Sequence, residues 1–213
     1  MYTIPDYVFS TPTTIVVSGT TGCGKTTWIK KMLTNPSLFK DKIDRVVYCY
    51  GTWQTAFNDM REVEFREGLD IPTDFNRDQH TLIILDDLMS EIVQSKSAEK
   101  LFTQGSHHKN ITVIFIVQNL YQQGKTAKTI MLNTHYLVLM RNARDINQIK
   151  VLGRQIGLDK TLEEAYKDCM TTPFGYLVVD LSPSGVEDLR LRTNIFPGEI
   201  PIVYLSKNAI SKV

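Results

Sequence analysis

Apolar residues in this chain come in short unbroken runs separated by stretches of helical period. Residues 13–18 are a β-branched run that stops at Gly19, and residues 45–50 stop at Gly51. Residues 81–85 stop at Asp86 and Asp87, residues 111–117 at Gln118 and Asn119, and residues 135–140 at Arg141. Runs of this length without alternation suit strands buried on both faces of a parallel sheet. Between them, residues 25–33 place Trp28, Ile29, Met32 and Leu33 on one helical face and end before Asn35-Pro36. Residues 92–104, 145–156 and 161–169 also read as helices. Alternation of strand and helix predicts an α/β fold with a mostly parallel central sheet and right-handed crossovers. Residues 63–66 alternate strictly and predict an edge strand. Residues 175–181 and 200–205 are strand-like but separated by Pro, Ser and Gly, and predict an appended antiparallel element at the C-terminus.

The chain has 213 residues, which predicts a single domain, with a core over about 10–160 and a strand extension over about 173–207. It is 42% hydrophobic and 22% charged, enough apolar material for a sizeable core, which excludes a disordered tail or a disulfide scaffold. No internal repeat or low-complexity tract is present. Lys+Arg is 24 and Asp+Glu 23, so net charge alone gives no sign of a polyanion partner. The distribution changes that picture. Residues 41–100 hold 13 acids and 7 bases, a local −6, and residues 104–160 hold 8 bases and 2 acids, a local +6. These are two solvated faces or one side that meets a polyanion. The three cysteines, Cys23, Cys49 and Cys169, read as reduced thiols of an intracellular protein. The N-terminus lacks the basic and apolar regions of a signal peptide, and the most apolar run, 111–117, is too short to cross a bilayer.

The strongest chemical signal is Gly19-Thr20-Thr21-Gly22-Cys23-Gly24-Lys25-Thr26, which fits G-x-x-x-x-G-K-[ST] between a predicted strand and a predicted helix. In such a loop the glycines let backbone N–H groups point at phosphate oxygens, and the helix N-terminus, continuing through Thr27, adds its positive end. Lys25 would reach the β- and γ-phosphates of ATP, and Thr26 would offer its hydroxyl to Mg²⁺. Cys23 reads as a spacer. In phosphate-loop enzymes an acid at the place of Asp86, ending an apolar strand, holds Mg²⁺. Asp87 beside it suits a general base that orients the attacking water, which favours an NTP hydrolase over a small-molecule kinase. Adjacent carboxylates repel unless a cation or water separates them. Gln118, at the end of its own apolar run, can contact the γ-phosphate and report hydrolysis, although a glutamine in a loop is commonplace.

Taken together, residues 19–27, 85–89, 101–108, 117–119, 133–136 and 141–145 resemble the genome-packaging ATPases of large DNA viruses, of the poxvirus packaging type within the FtsK/HerA superfamily. The short forms of Maverick/Polinton elements and adintoviruses are the nearest in kind. The resemblance runs from about 10 to 204. It implies a RecA-like P-loop NTPase core and ATP-driven translocation of double-stranded DNA into a preformed capsid. The implied partners are capsid proteins and further copies of the chain in a ring, a pentamer or hexamer. The implied place is inside the host cell at sites of virion assembly, or in the virion. Gln118 matches the family's sensor. Arg144 falls on the arginine of an Asn-Pro-Arg-Asp motif, and Arg154 on a following Arg-Gln. Ala143 replaces the usual proline and Arg141 stands where lysine is expected, so three arginines compete for one role. His107 and His108 belong to the motif and read as a hydrogen-bonded helix end. Residues 122–128 predict a flexible loop whose Lys125 and Lys128 face DNA, or merely solvent. Other readings of the same residues are a nucleoside kinase, a viral helicase, or a nucleotide-gated assembly protein.

Overall fold

The structure is a computed structural model and describes residues 6–95, 101, 109–121, 124–144 and 146–206. Six strands run parallel: β1 (Thr14–Ser18), β2 (Arg45–Tyr50), β3 (Val63–Glu67), β4 (Thr81–Asp86), β5 (Ile111–Val117) and β6 (Tyr136–Met140). Three more, β7 (Tyr176–Asp180), β8 (Leu191–Thr193) and β9 (Ile202–Val203), join antiparallel. Among the described residues they make one nine-stranded sheet in the order β3-β2-β4-β5-β1-β6-β7-β8-β9. The α/β class, the parallel core and the antiparallel C-terminal strands are as expected. The strand over 63–66 is indeed the edge strand.

Every residue of β1, β4, β5 and β6 is buried, which explains their unbroken apolar sequence. Successive side chains point to opposite faces and so feed two separate cores. Val113, Phe115 and Val117 pack on one face, and Ile114 and Ile116 on the other. Helix α1 (Lys25–Leu33) covers the second face with Trp28, Ile29 and Met32. The first face carries α2 (Met89–Gln94), α3 (Lys125–Leu132), α4 (Ile146–Gln155) and α5 (Asp159–Cys169). Met32 is fully buried, and Met32→Ala would cost about 2–5 kcal/mol.

Three expectations need correction. The basic segment 122–128 is not a loop from Lys125 onward. Thr126, Ala127 and Ile130 share one buried face, which pulls the chain into α3 and leaves Lys125 and Lys128 on its exposed side. Gln122 and Gln123 lie outside the described residues. The helix read over 92–104 begins earlier, at Met89, because Leu88 and Ile92 are both buried and the Ile92 N–H already bonds the Leu88 carbonyl at 2.9 Å, and it ends at Gln94, where Ser95 turns extended with φ −99° and ψ 114°. Residues 96–100 and 102–108, with His107 and His108, lie outside the described residues. Finally, β8 was not foreseen. Its central Arg192 is 8% exposed and sits 5.3 Å from the Tyr7 ring, so a buried charge hides the strand in a hydropathy pattern.

Candidate active site

The loop of residues 19–24 joins the end of β1 to the start of α1. Gly22 and Gly24 have φ of 79° and 101°, a region where side chains are strained, so the loop needs glycine there. Gly24 is also the N-cap of α1, and no side chain caps that end. The first-turn N–H groups, at Lys25, Thr26 and Thr27, therefore have no acceptor within the helix and are left for an anion. Lys25 Nζ donates to the carbonyls of Gly19 at 2.7 Å and Thr20 at 3.0 Å, folded back over the loop. The loop is strapped from outside by Arg141. Its backbone carbonyl accepts from the Thr20 N–H at 3.2 Å and the Thr20 hydroxyl at 3.0 Å. Burial pushes the Cys23 thiol up.

The two aspartates differ sharply. Asp86 is 5% exposed, and its Oδ2 accepts from the Tyr48 hydroxyl at 2.7 Å and from Gln54 Nε2 at 3.4 Å. Burial raises its pKa. The Tyr48 hydrogen bond and the Lys25 charge oppose that rise, and Asp87 adds to it. Tyr48 is itself held protonated by burial and by Asp86, so it remains a donor. Asp87 is exposed, takes a left-handed φ of 57°, and accepts from Gln118 Nε2 at 3.2 Å. A non-glycine residue held there costs of order 1–3 kcal/mol, the kind of strain that accumulates at functional sites. The turn splits two sequence neighbours, one carboxylate into the protein and the other toward Gln118.

Gln54 and Tyr48 are the residues that sequence reasoning missed. The Gln54 amide joins the two expected metal ligands, accepting from Thr26 Oγ1 at 2.9 Å through Oε1 while donating to Asp86. Thr26 and Asp86 offer hard oxygen donors on adjoining elements, which fits Mg²⁺, an ion that usually takes one or two protein ligands plus water and phosphate. Among the described residues no cluster of three or more His, Cys, Asp or Glu could hold a metal, so an all-protein cage of these residues is not the alternative.

A cavity of about 390 Å³ collects these groups. Residues of the phosphate loop and the first turn of α1, Gln54, Asp86, Asp87, Gln118 and Phe174 all line it. No arginine lines it among the described residues. Arg144 is exposed in the turn after β6, with its backbone N–H on Asn142 Oδ1 at 3.1 Å. Asp145 lies outside the described residues. Arg154 is exposed on α4, its Nε 3.4 Å from the Lys150 carbonyl. Lys125 and Lys128 stand away from the cavity on α3. Asn142, also missed, is buried between the two regions. Its amide donates to the Gln118 carbonyl at 3.0 Å, and its backbone N–H donates to the Tyr166 hydroxyl at 2.9 Å. It stands at the asparagine of the Asn-Pro-Arg-Asp motif, for which the sequence suggested no role of its own.

No helix among the described residues is long and apolar enough to cross a membrane, and the three cysteines are free. No family model matches this chain, and no curated protein does. Solved structures do. B204, the DNA-packaging ATPase from Sulfolobus turreted icosahedral virus, superposes with a TM-score of 0.53 at 11% identity, over 90% of this chain and 96% of that one. The genome-packaging NTPase B204 from Sulfolobus turreted icosahedral virus 2, in complex with sulfate, gives 0.50 at 13% identity, over 90% and 95%. The cytoplasmic domain of the type VII secretion ATPase EccC from Thermomonospora curvata gives 0.51 at 10% identity, over 91% of this chain but 25% of that one. The chain therefore has the P-loop α/β fold that viral packaging ATPases and this secretion ATPase share.

Proposed function

We propose that this chain is an ATP-hydrolysing motor that moves double-stranded viral DNA into a preformed capsid. The observation that carries the ATPase part is the single cavity in which the phosphate loop, Asp86, Asp87 and Gln118 converge. Lys25 would leave its two carbonyls and neutralise charge on the β- and γ-phosphates, and Thr26 with Asp86 would hold Mg²⁺. Asp87, exposed and oriented by Gln118, would accept the proton of the attacking water. Gln118 would sense whether the γ-phosphate is present. The exposed Arg144, with Arg154 and Arg141 as alternatives, would serve the neighbouring site in a ring. The packaging part rests on the motif resemblance and on a fold shared with a DNA-packaging ATPase. The particular kinship with Maverick/Polinton and adintovirus forms rests on the motifs alone. Capsid proteins as partners, a pentameric or hexameric ring formed by a single domain, and a place at sites of virion assembly belong to the same proposal.

A nucleoside kinase would need an acceptor-binding lid, and no arginine-rich lid stands out. The decisive measurement is ATPase rate with and without long double-stranded DNA. Stimulation by duplex and not by single strands is expected, with Lys25→Ala inactive in both. Stimulation by single strands alone would favour a helicase. Nucleotide binding without turnover would favour an assembly protein, and unchanged turnover in Lys25→Ala would remove the phosphate-loop assignment.

A further inference from the structure

The hydrolysis site accounts for one end of a nucleotide only. Asp86, Asp87 and Gln118 lie at the ends of β4 and β5, on one side of β1, and they claim the γ-phosphate end. The rest of the ligand must leave across α1 toward the other side of β1, where β6 and β7 stand. Because β7 runs antiparallel, its first residue, Tyr176, pairs with Met140, the last residue of β6. The turn that precedes β7 is thereby delivered to the same edge of the sheet as the phosphate loop. Gly175 makes this possible, since a Cβ there would sit 1.8 Å from the Cys169 carbonyl oxygen.

A second cavity, of about 270 Å³, opens at that place and shares Gly24, Thr27 and Phe174 with the first. This is near the lower end, roughly 300 Å³, of pockets that bury small ligands. Its apolar wall is Trp28, Tyr176 and Phe196, packed edge to face with ring centroids 5.7–5.9 Å apart. The ion pair of Lys31 and Glu199 borders it.

The conformation of Phe174 has no structural account within the protein itself. Phe174 holds φ at 57° and is 69% exposed, with Cδ1 only 2.9 Å from where a Gly24 Cβ would be. A bulky side chain in the left-handed region is an outlier, and an aromatic ring in water gains nothing from it.

A ligand stacked on that ring would account for it. We propose that this second cavity is the subsite for the base of the nucleoside triphosphate, a purine, stacked against the Phe174 ring. The proposal rests on the phosphate-loop reading above. It assigns Phe174 the choice of base and leaves the reacting phosphate to Lys25 and the aspartates. A purine is favoured because its double ring offers the larger face to stack on.

The test compares ATP, GTP, CTP, UTP and inorganic tripolyphosphate by equilibrium binding to the full chain. Wild-type protein should prefer ATP and GTP over the pyrimidine nucleotides. Phe174→Ala should lose roughly five- to a hundredfold in ATP affinity, the range for removing an aromatic platform under a base. Its preference for purines should flatten, its affinity for tripolyphosphate should stay at the wild-type value, and KM should rise with kcat retained. Phe174→Tyr should restore the preference. A readout that leaves Phe174 in place uses Trp28 as the sole indole in a Trp53→Phe background, where ATP should change its fluorescence and tripolyphosphate should not. Wild-type ATP affinity and purine preference in Phe174→Ala, with binding still lost in Lys25→Ala, would place the base elsewhere and leave the phosphate site intact. If tripolyphosphate changes Trp28 fluorescence as ATP does, the subsite assignment also falls. If neither ATP nor tripolyphosphate binds the wild-type chain, the phosphate-loop reading fails and this inference fails with it.

Discussion

Two stretches of the same sheet edge behave differently. The ends of β4 and β5 turn their polar side chains inward, so that Asp86, Asp87 and Gln118 all reach the cavity beside their own phosphate loop. The end of β6, on the other side of β1, contributes backbone instead. The Arg141 carbonyl straps the loop, while Arg141 and Arg144 themselves are exposed. One side gathers its polar groups in the cavity, and on the other the arginine side chains are exposed. Asn142 ties the two together, holding the Gln118 carbonyl with its amide and the Arg144 N–H with its side-chain oxygen. A strand end can thus meet the phosphate loop with its side chains or with its main chain.

The sharpest way to break this contrast is to mix subunits. Arg144→Ala should lower kcat by roughly 10³- to 10⁵-fold if its guanidinium acts on a neighbour's γ-phosphate. Mixed with Asp87→Asn subunits, it should regain part of the ATPase, because some interfaces then pair an intact Asp87 with an intact Arg144. Mixed rings that form but stay inactive would show that Arg144 does not act across the interface. Asp87→Asn alone should keep ATP binding and lose roughly 10²- to 10⁴-fold in turnover, the range for a positioned proton acceptor. Normal hydrolysis in this variant would mean that another group is the base.

A smaller effect concerns the buried side. Burial raises the Asp86 pKa, and Tyr48 opposes the rise. Mg²⁺ needs the ionised carboxylate, so its affinity should fall as pH falls through that raised pKa. Tyr48→Phe removes the hydrogen bond, raises the pKa further, and should shift the acid limb of Mg²⁺-dependent activity to higher pH. A loss of about 10- to 100-fold in Mg²⁺ affinity is expected for removing such a supporting group. An acid limb that stays in place would show that Tyr48 does not tune Asp86. The smallest effect tests the exposed face of α3. Lys125→Glu with Lys128→Glu should reduce the salt slope of DNA binding by up to about 2, without base preference. An unchanged slope would put the DNA surface elsewhere.

The parallel core and the phosphate loop were legible because their causes are local. A strand buried on both faces must be apolar along its whole length, and a loop that wraps phosphate must carry glycine where φ is positive. Asp86, Asp87 and Gln118 could be located from where apolar runs stop, since parallel strands must end at one edge. Lys125 and Lys128 were placed in a loop because the neighbouring Gly and Gln suggested one. The buried face that makes α3 helical exists only against α2 and the sheet.

Residues acting across the fold left no such trace. Gln54 meets residues 28 and 32 positions away, a join that no periodicity encodes. Phe174 looks in the sequence like one more aromatic between Pro and Gly, and its exposed, left-handed position above Gly24 follows only once β7 is antiparallel to β6. The sequence by itself determined the parallel strands, the first helix and the chemistry of the phosphate end, because burial and backbone geometry dictate residue type position by position. Tertiary structure alone decided which polar groups hold Asp86, which way the arginines face and what stands beside the phosphate loop, because those contacts depend on strand order and direction.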